Sequence, residues 1–236
     1  MFSKTRTGLT PADCEFISRT LGATASDREE ILASCADPSS VTAYLRDARL
    51  FERSMTPPPV FLGISPGLFF YVFVYRALER RSIADDDVVD YVAAVCTEFR
   101  STGPLLQVTS ADGTFFYITD LLNLMDGLDG ARRHILRKYI GDVTLFLTGF
   151  FPGFFLRRTE RRGAPAIGFY QEVARSQYCD AALDPDARDE QTADVLMTLS
   201  ERFAEVRTAL NEMWVDTRLI GRRREPPGGS VQEPGR

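Results

Sequence analysis

Residues 192–217, TADVLMTLSERFAEVRTALNEMWVDT, decide the fold class. Leu196, Leu199, Phe203, Val206, Leu210, Met213 and Thr217 follow one another at alternating spacings of three and four, with Trp214 beside them. That alternation keeps one face of an α-helix apolar. It predicts one helix from Arg188 to about Leu219. Its seam packs either inside an antiparallel bundle or against a second copy, as a homodimer through 196–217.

The helical period continues upstream. A helix over 164–183 carries Ile167, Tyr170, Ala174 and Tyr178 on one side, and a longer one spans 131–150, weakened at Gly141 and Gly149. Pro152 then starts a short aromatic turn, PGFFLRR. Ser82 and Asp85 cap a helix holding Val88, Val92, Val95 and Phe99. Pro66 opens GLFFYVFVYRALERR, apolar on all sides as far as Arg76, which marks a central helix. At the N-terminal end, Thr10-Pro11 is a helix start, and the helix stops at Gly22. Ser26 opens a second helix. A third begins near Pro38-Ser39 with Val41, Tyr44, Leu45, Ala48 and Phe51 on one face.

One segment departs from this period. LLQVTSADGTFFYIT, residues 105–119, sets Asp112-Gly113 between runs rich in Val, Thr, Phe and Tyr, a β-hairpin signal near 105–118. The alternative is a loop leading into a helix over 118–125. The expected fold is all-α, a multi-helix bundle of seven to nine helices with that one short hairpin. Residues 1–56 form an N-terminal helical segment or the first layer of the same bundle, and residues 60–219 form the main domain. The composition of residues 220–236 is that of a disordered tail.

Composition excludes several chemistries. The 236 residues contain 17 Phe, a single His, and 26 Arg against two Lys. One histidine cannot build a multi-histidine metal site, and it leaves His134 as the only route to Ser-His-Asp or Cys-His catalysis. No metal site and no cofactor can be named. Cys14, Cys35, Cys96 and Cys179 form no CxxC pair, which suits reduced, mostly buried thiols in a cytoplasmic protein. The first residues lack the apolar run of a secretory signal. Residues 54–75 carry no charge, but Pro57, Pro58, Pro59, Gly63, Pro66 and Gly67 break them. Only Leu68 to Tyr75 is continuously apolar, about 12 Å of helix against a hydrocarbon core of about 30 Å, so no transmembrane segment is expected.

Charge patterning is local. The net charge of −5 argues against nucleic acid as a partner. Two basic clusters nevertheless flank the aromatic stretch 139–156: Arg132, Arg133, Arg137 and Lys138, then Arg157, Arg158, Arg161 and Arg162. Arg132, Arg133, Arg137, Arg157 and Arg158 are candidate anion contacts, able with neighbouring rings to meet an anionic head group, or else a solvated rim around buried aromatics. His134 falls beside Arg137 and Lys138, away from an expected core face of Ile135, Tyr139, Asp142, Val143 and Phe146. Asp142 is thus a carboxylate among large apolar residues and needs a partner if its charge is to survive burial. Gly141 and Gly149 remove side chains where another helix or a ligand must come close.

Three motifs resemble those of known groups. Asp86-Asp87-Val88-Val89-Asp90 resembles the aspartate-rich motif of isoprenoid synthases, which implies Mg²⁺ and a diphosphate, but no second metal motif accompanies it. The competing reading is three acids complementing a helix dipole. Tyr139-Ile140-Gly141-Asp142 resembles the Tyr-x-Gly-Asp stretch of the all-helical haem oxygenases. The chain departs from that family by continuing Val143-Thr144-Leu145 and by having no histidine before position 134. The longer string GDVTLFLTGFFP, with GFYQEVARSQY downstream, is similar over about residues 139–178 to a group of uncharacterised bacterial all-helical proteins. That resemblance implies no activity. It does imply that Tyr139, Gly141, Asp142, Gly149, Phe151, Pro152 and Tyr178 belong to one structural or binding unit.

Two functional classes remain. The first is a protein-interaction or regulatory module using the 139–156 corner or the final seam, with a protein or a small apolar or anionic ligand as partner. The second is a small-molecule-binding or enzymatic domain with an aromatic pocket around Asp142. No nucleophile-base pair is legible, which favours the first.

Overall fold

Side-chain caps set many of the helix starts. The structure, a computed structural model, describes residues 6, 8–55, 63–83, 85–100, 118–184 and 190–222. In α1 (Pro11–Leu21), Thr10 and Asp13 form a capping box, and Thr24 and Asp27 repeat it in α2 (Ala25–Ser34). Asp37 caps α3 (Pro38–Leu45), Ser65 caps α5 (Pro66–Glu79) and Asp85 caps α6 (Asp86–Phe99). Asp129 caps α8 (Gly130–Phe150). The others are α4 (Ala48–Met55), α7 (Ile118–Met125), α9 (Pro152–Arg162), α10 (Ile167–Ala182), α11 (Glu190–Glu201) and α12 (Phe203–Arg222). The fold is all-α.

There are twelve helices among the described residues rather than seven to nine, and the difference arises at three places. The expected helix from Pro38 to Phe51 divides because the Asp47 carboxylate accepts the Arg49 N–H at 2.8 Å, starting a new turn. The expected helix 188–219 divides at Arg202, whose carbonyl accepts both the Glu205 and Val206 N–H groups at 3.0 Å. The PGFFLRR turn is the start of a full helix, α9. Conversely, α8 runs unbroken through Gly141 and Gly149. The described residues contain no strand. The expected hairpin falls outside them except for Ile118, which begins α7, and residues 223–236 also lie outside.

One buried cluster joins the ends of the chain. Ile17, Val41 and Leu50 share it with Leu68–Leu78 of α5 and with Leu196–Met213. Within it, α10 packs on α8 and α11, α5 on α6, and α12 on both α8 and α5. The seam Leu196, Leu199, Phe203, Val206 and Leu210 is wholly buried and Met213 nearly so. The seam is therefore used inside the chain. The two phenylalanine-rich elements meet where Phe70 of α5 lies 6.3 Å, edge-on, from Phe150 of α8. Trp214 covers the same ring at 5.2 Å. Among the described residues, no single helix is long and apolar enough to cross a membrane.

Candidate functional site

Asp142 is the polar centre of the core. It lies on α8, 1% exposed, within the fully buried run Ile140–Phe146. Two phenols from different helices converge on one of its oxygens. Tyr91 of α6 donates to Oδ1 at 2.7 Å, and Tyr178 of α10 donates to the same atom at 2.9 Å. Lys138 holds its ammonium 5.5 Å above the Tyr91 ring. Burial pushes the Asp142 carboxyl up to about 6, against the opposing pull of both phenols and Lys138. Burial and the carboxylate push Tyr91 and Tyr178 well above the ordinary phenol range, so both remain donors.

Gly141 makes this geometry possible. A β-carbon there would meet Cε1 of Tyr178 at 2.5 Å, so the missing side chain is what lets the ring lie against α8. Tyr178 is wholly buried. The Gly-Asp pair thus supplies a surface for the ring and an acceptor for its hydroxyl. The result is a polar tie of α6, α8 and α10.

The other members of the resemblance unit sit elsewhere. Tyr139 is half-buried with its ring 6.0 Å from Phe99. Gly149 faces α12, where its carbonyl accepts the Asn211 amide at 3.2 Å and an added β-carbon would stand 3.0 Å from Leu210 Cβ. Phe151 caps α8 and Pro152 opens α9. The structure therefore brings Gly141, Asp142 and Tyr178 together and separates them from Gly149, Phe151 and Pro152.

The first basic cluster does not converge. Arg132 is exposed, Arg133 donates to the Leu128 carbonyl at 2.9 Å, and Arg137 reaches Asp184 at 3.1 Å. Asp184 also faces His134, 4.0 Å from Nδ1, so the histidine is packed between α8 and the end of α10 rather than lying free on the surface. Ile135, expected on the core face, is 67% exposed, because burial of α8 begins only at Ile140. Arg157 is exposed on α9, and the Arg158 side chain lies outside the described residues.

The aspartate-rich string is committed to ion pairs, three acids sharing two arginines. Asp86 pairs with Arg46, Asp87 with Arg6 at 2.5 Å, and the wholly buried Asp90 with Arg6 Nε at 3.1 Å. Among the described residues, no group of three or more His, Cys, Asp or Glu is arranged to hold a metal. The four cysteines are free, and only Cys96 is buried. Burial, reinforced by the neighbouring Cys14 thiol, pushes Cys35 up to about 12.

Sequence reasoning missed Tyr91, since a tyrosine following an acidic run on a different helix carries no local signal toward Asp142. It did find the α8–α9 corner. There α9 leaves α8 at 88°, and Phe151, Leu156 and Phe169 stand 41%, 58% and 43% exposed. Two groups of rings lie here: Phe151 is 6.0 Å from Phe146, and separately Phe154 is 5.5 Å from Phe155, Phe155 4.7 Å from Tyr170, and Tyr170 5.5 Å from Phe169. No protein-family model matches this chain, and neither curated proteins nor solved structures yield a match.

Proposed function

We propose that this protein is an interaction module whose contact surface is the α8–α9 corner, docking on an anionic partner in the cytoplasm. One contrast carries the reading. The final seam and the Asp142 cluster are consumed inside the fold, whereas Phe151, Leu156 and Phe169 remain exposed between the end of α8 and the start of α10, a stretch that also carries the arginines of α9. Large apolar side chains left in water near a run of like charges are the usual mark of a contact surface. Four free thiols support a reducing compartment.

The enzymatic alternative draws support from the raised pKa of Asp142, the kind of perturbation found at functional sites. Against it, both phenols that could position a ligand are already bonded to that carboxylate. A photo-crosslinking residue at position 156, compared in living cells with one at the exposed Leu32, tests the docking reading. Adducts specific to position 156 that disappear with Arg157→Glu and Arg161→Glu are expected. Equal adducts at both positions, or no adduct at 156 with either protein or lipid, would overturn it.

A further inference from the structure

We infer that the α8–α9 corner is a membrane-interface anchor, seating the protein on an anionic lipid bilayer. This rests on the corner being the contact surface, and it names the occupant from charge and side-chain type. Residues 157–162, RRTERR, carry four arginines against Glu160 alone, while the whole chain has a net charge of −5. Arg157 and Arg161 are exposed. A locally cationic helix on an acidic protein turns that face, rather than the rest of the molecule, toward an anionic surface.

The apolar part fits the same occupant. Phe151, Leu156 and Phe169 are two rings and a leucine raised around an elbow, with α9 turned 88° across the end of α8. The elbow joins these apolar groups to α9, whose Arg157 and Arg161 are also exposed, a pairing of side-chain types that suits a bilayer interface. The rings enter the headgroup boundary while the arginine stems reach out to phosphate. Because Phe155 is buried and packs on Tyr170, the ring chain fixes α9 to the start of α10, so the rigid fold presents the elbow as a unit.

The test uses the full chain with vesicles of phosphatidylglycerol and phosphatidylcholine, against vesicles of phosphatidylcholine alone. Sedimentation with the anionic vesicles is expected, weaker by about tenfold or more on neutral ones and falling with added salt. Arg157→Glu with Arg161→Glu, and separately Phe151→Ser with Leu156→Ser, each lower partition by about tenfold or more. All four positions are exposed, so the circular-dichroism melt of each variant stays close to that of the parent. Leu156→Trp adds a reporter whose fluorescence is quenched by brominated acyl chains if the corner inserts. Absence of binding to anionic vesicles, or binding that both double variants retain, overturns the lipid proposal. If vesicles fail while position 156 still forms charge-sensitive protein adducts in cells, the corner remains a docking surface and its occupant is an acidic protein. If both fail, the docking reading falls as well.

Discussion

The Tyr178 ring rests directly on the backbone of Gly141, so near that a β-carbon at 141 would sit 2.5–2.7 Å from three of its ring carbons. The hydroxyl of the same ring ends on the neighbouring Asp142 at 2.9 Å. One tyrosine therefore reads two successive residues of α8, the first by its shape and the second by its charge.

Gly141→Ala is expected to destabilise the protein strongly. Alanine favours a helix by up to about 1 kcal/mol, but the ring has no room to retreat, and overpacking costs about 1–3 kcal/mol or more. Displacing the ring also breaks its bond to Asp142. Gly168→Ala is the control, since it lies in α10 with open space around the added carbon. It should be neutral or stabilise by up to about 1 kcal/mol. Urea unfolding midpoints check the argument, falling for Gly141→Ala and staying level or rising for Gly168→Ala.

Asp142 gives stability an unusual pH dependence. Its carboxyl titrates at about 6 in the fold against an ordinary value of 3.8, so the native state holds its proton more tightly than the unfolded chain does. Stability from this group is greatest at low pH and is lost as the pH rises through 4 to 6, by about 3 kcal/mol at most. The carboxylates with lowered values, such as Asp37 and Asp47, act in the opposite sense and only as the pH falls toward the ordinary carboxylate range. Melting temperature should therefore rise on going from pH 7.5 to pH 5. Asp142→Asn keeps an acceptor for both phenols without the charge and should flatten that slope. Asp142→Ala orphans two hydroxyls and should cost about 2–5 kcal/mol. An unchanged slope in the Asn variant would assign the pH dependence to another group.

What the sequence made legible was whatever a helix records along its own face. The seam Leu196–Met213, the apolar helix Pro66–Glu79 and the cap at Thr10 each follow from neighbours within one or two turns. The breaks at Asp47 and Arg202 did not, because they depend on a single carboxylate or carbonyl turning aside from an otherwise continuous period. At the candidate site, Asp142 and Gly141 stood out as a carboxylate and a gap in an apolar run. Tyr91 did not, because its partner lies 51 residues away on another helix. The assignment of Ile135 to the core failed for a related reason. Periodicity gives the phase of a helix but not where along its length the rest of the protein begins to cover it.

The aspartate-rich string should behave as a structural hub. Asp90 is buried and is met by both the backbone N–H and the Nε of Arg6, each at 3.1 Å. Removing one partner of a buried ion pair costs about 3 kcal/mol or more, so Arg6→Ala should lower stability by roughly that amount. Arg6→Lys should recover little, because an ammonium lacks the fork that spans Asp87 and Asp90 together. Millimolar magnesium should leave the melting temperature unchanged. A magnesium-dependent rise would show instead that the acids can exchange their arginines for a metal ion.

Asp13 tests how the N-terminal helices are fastened to the rest. Its Oδ2 accepts the Thr10 N–H and hydroxyl at 2.8 Å, and its Oδ1 accepts the Ser65 N–H at 2.7 Å. One buried carboxylate thus closes the cap of α1 and anchors the residue that caps α5. Asp13→Ala should cost about 2–3 kcal/mol, through a lost cap and a stranded backbone donor. Asp13→Asn should be nearly as harmful despite its equal size, because its amide would present hydrogens to either Thr10 or Ser65, both of which donate. Amide hydrogen exchange should show α1 losing protection in both variants. Because Ile17 and Leu21 share the core cluster with α5, the urea transition should stay single while its midpoint falls. An Asn variant as stable as the parent would mean that only one of the two oxygens matters.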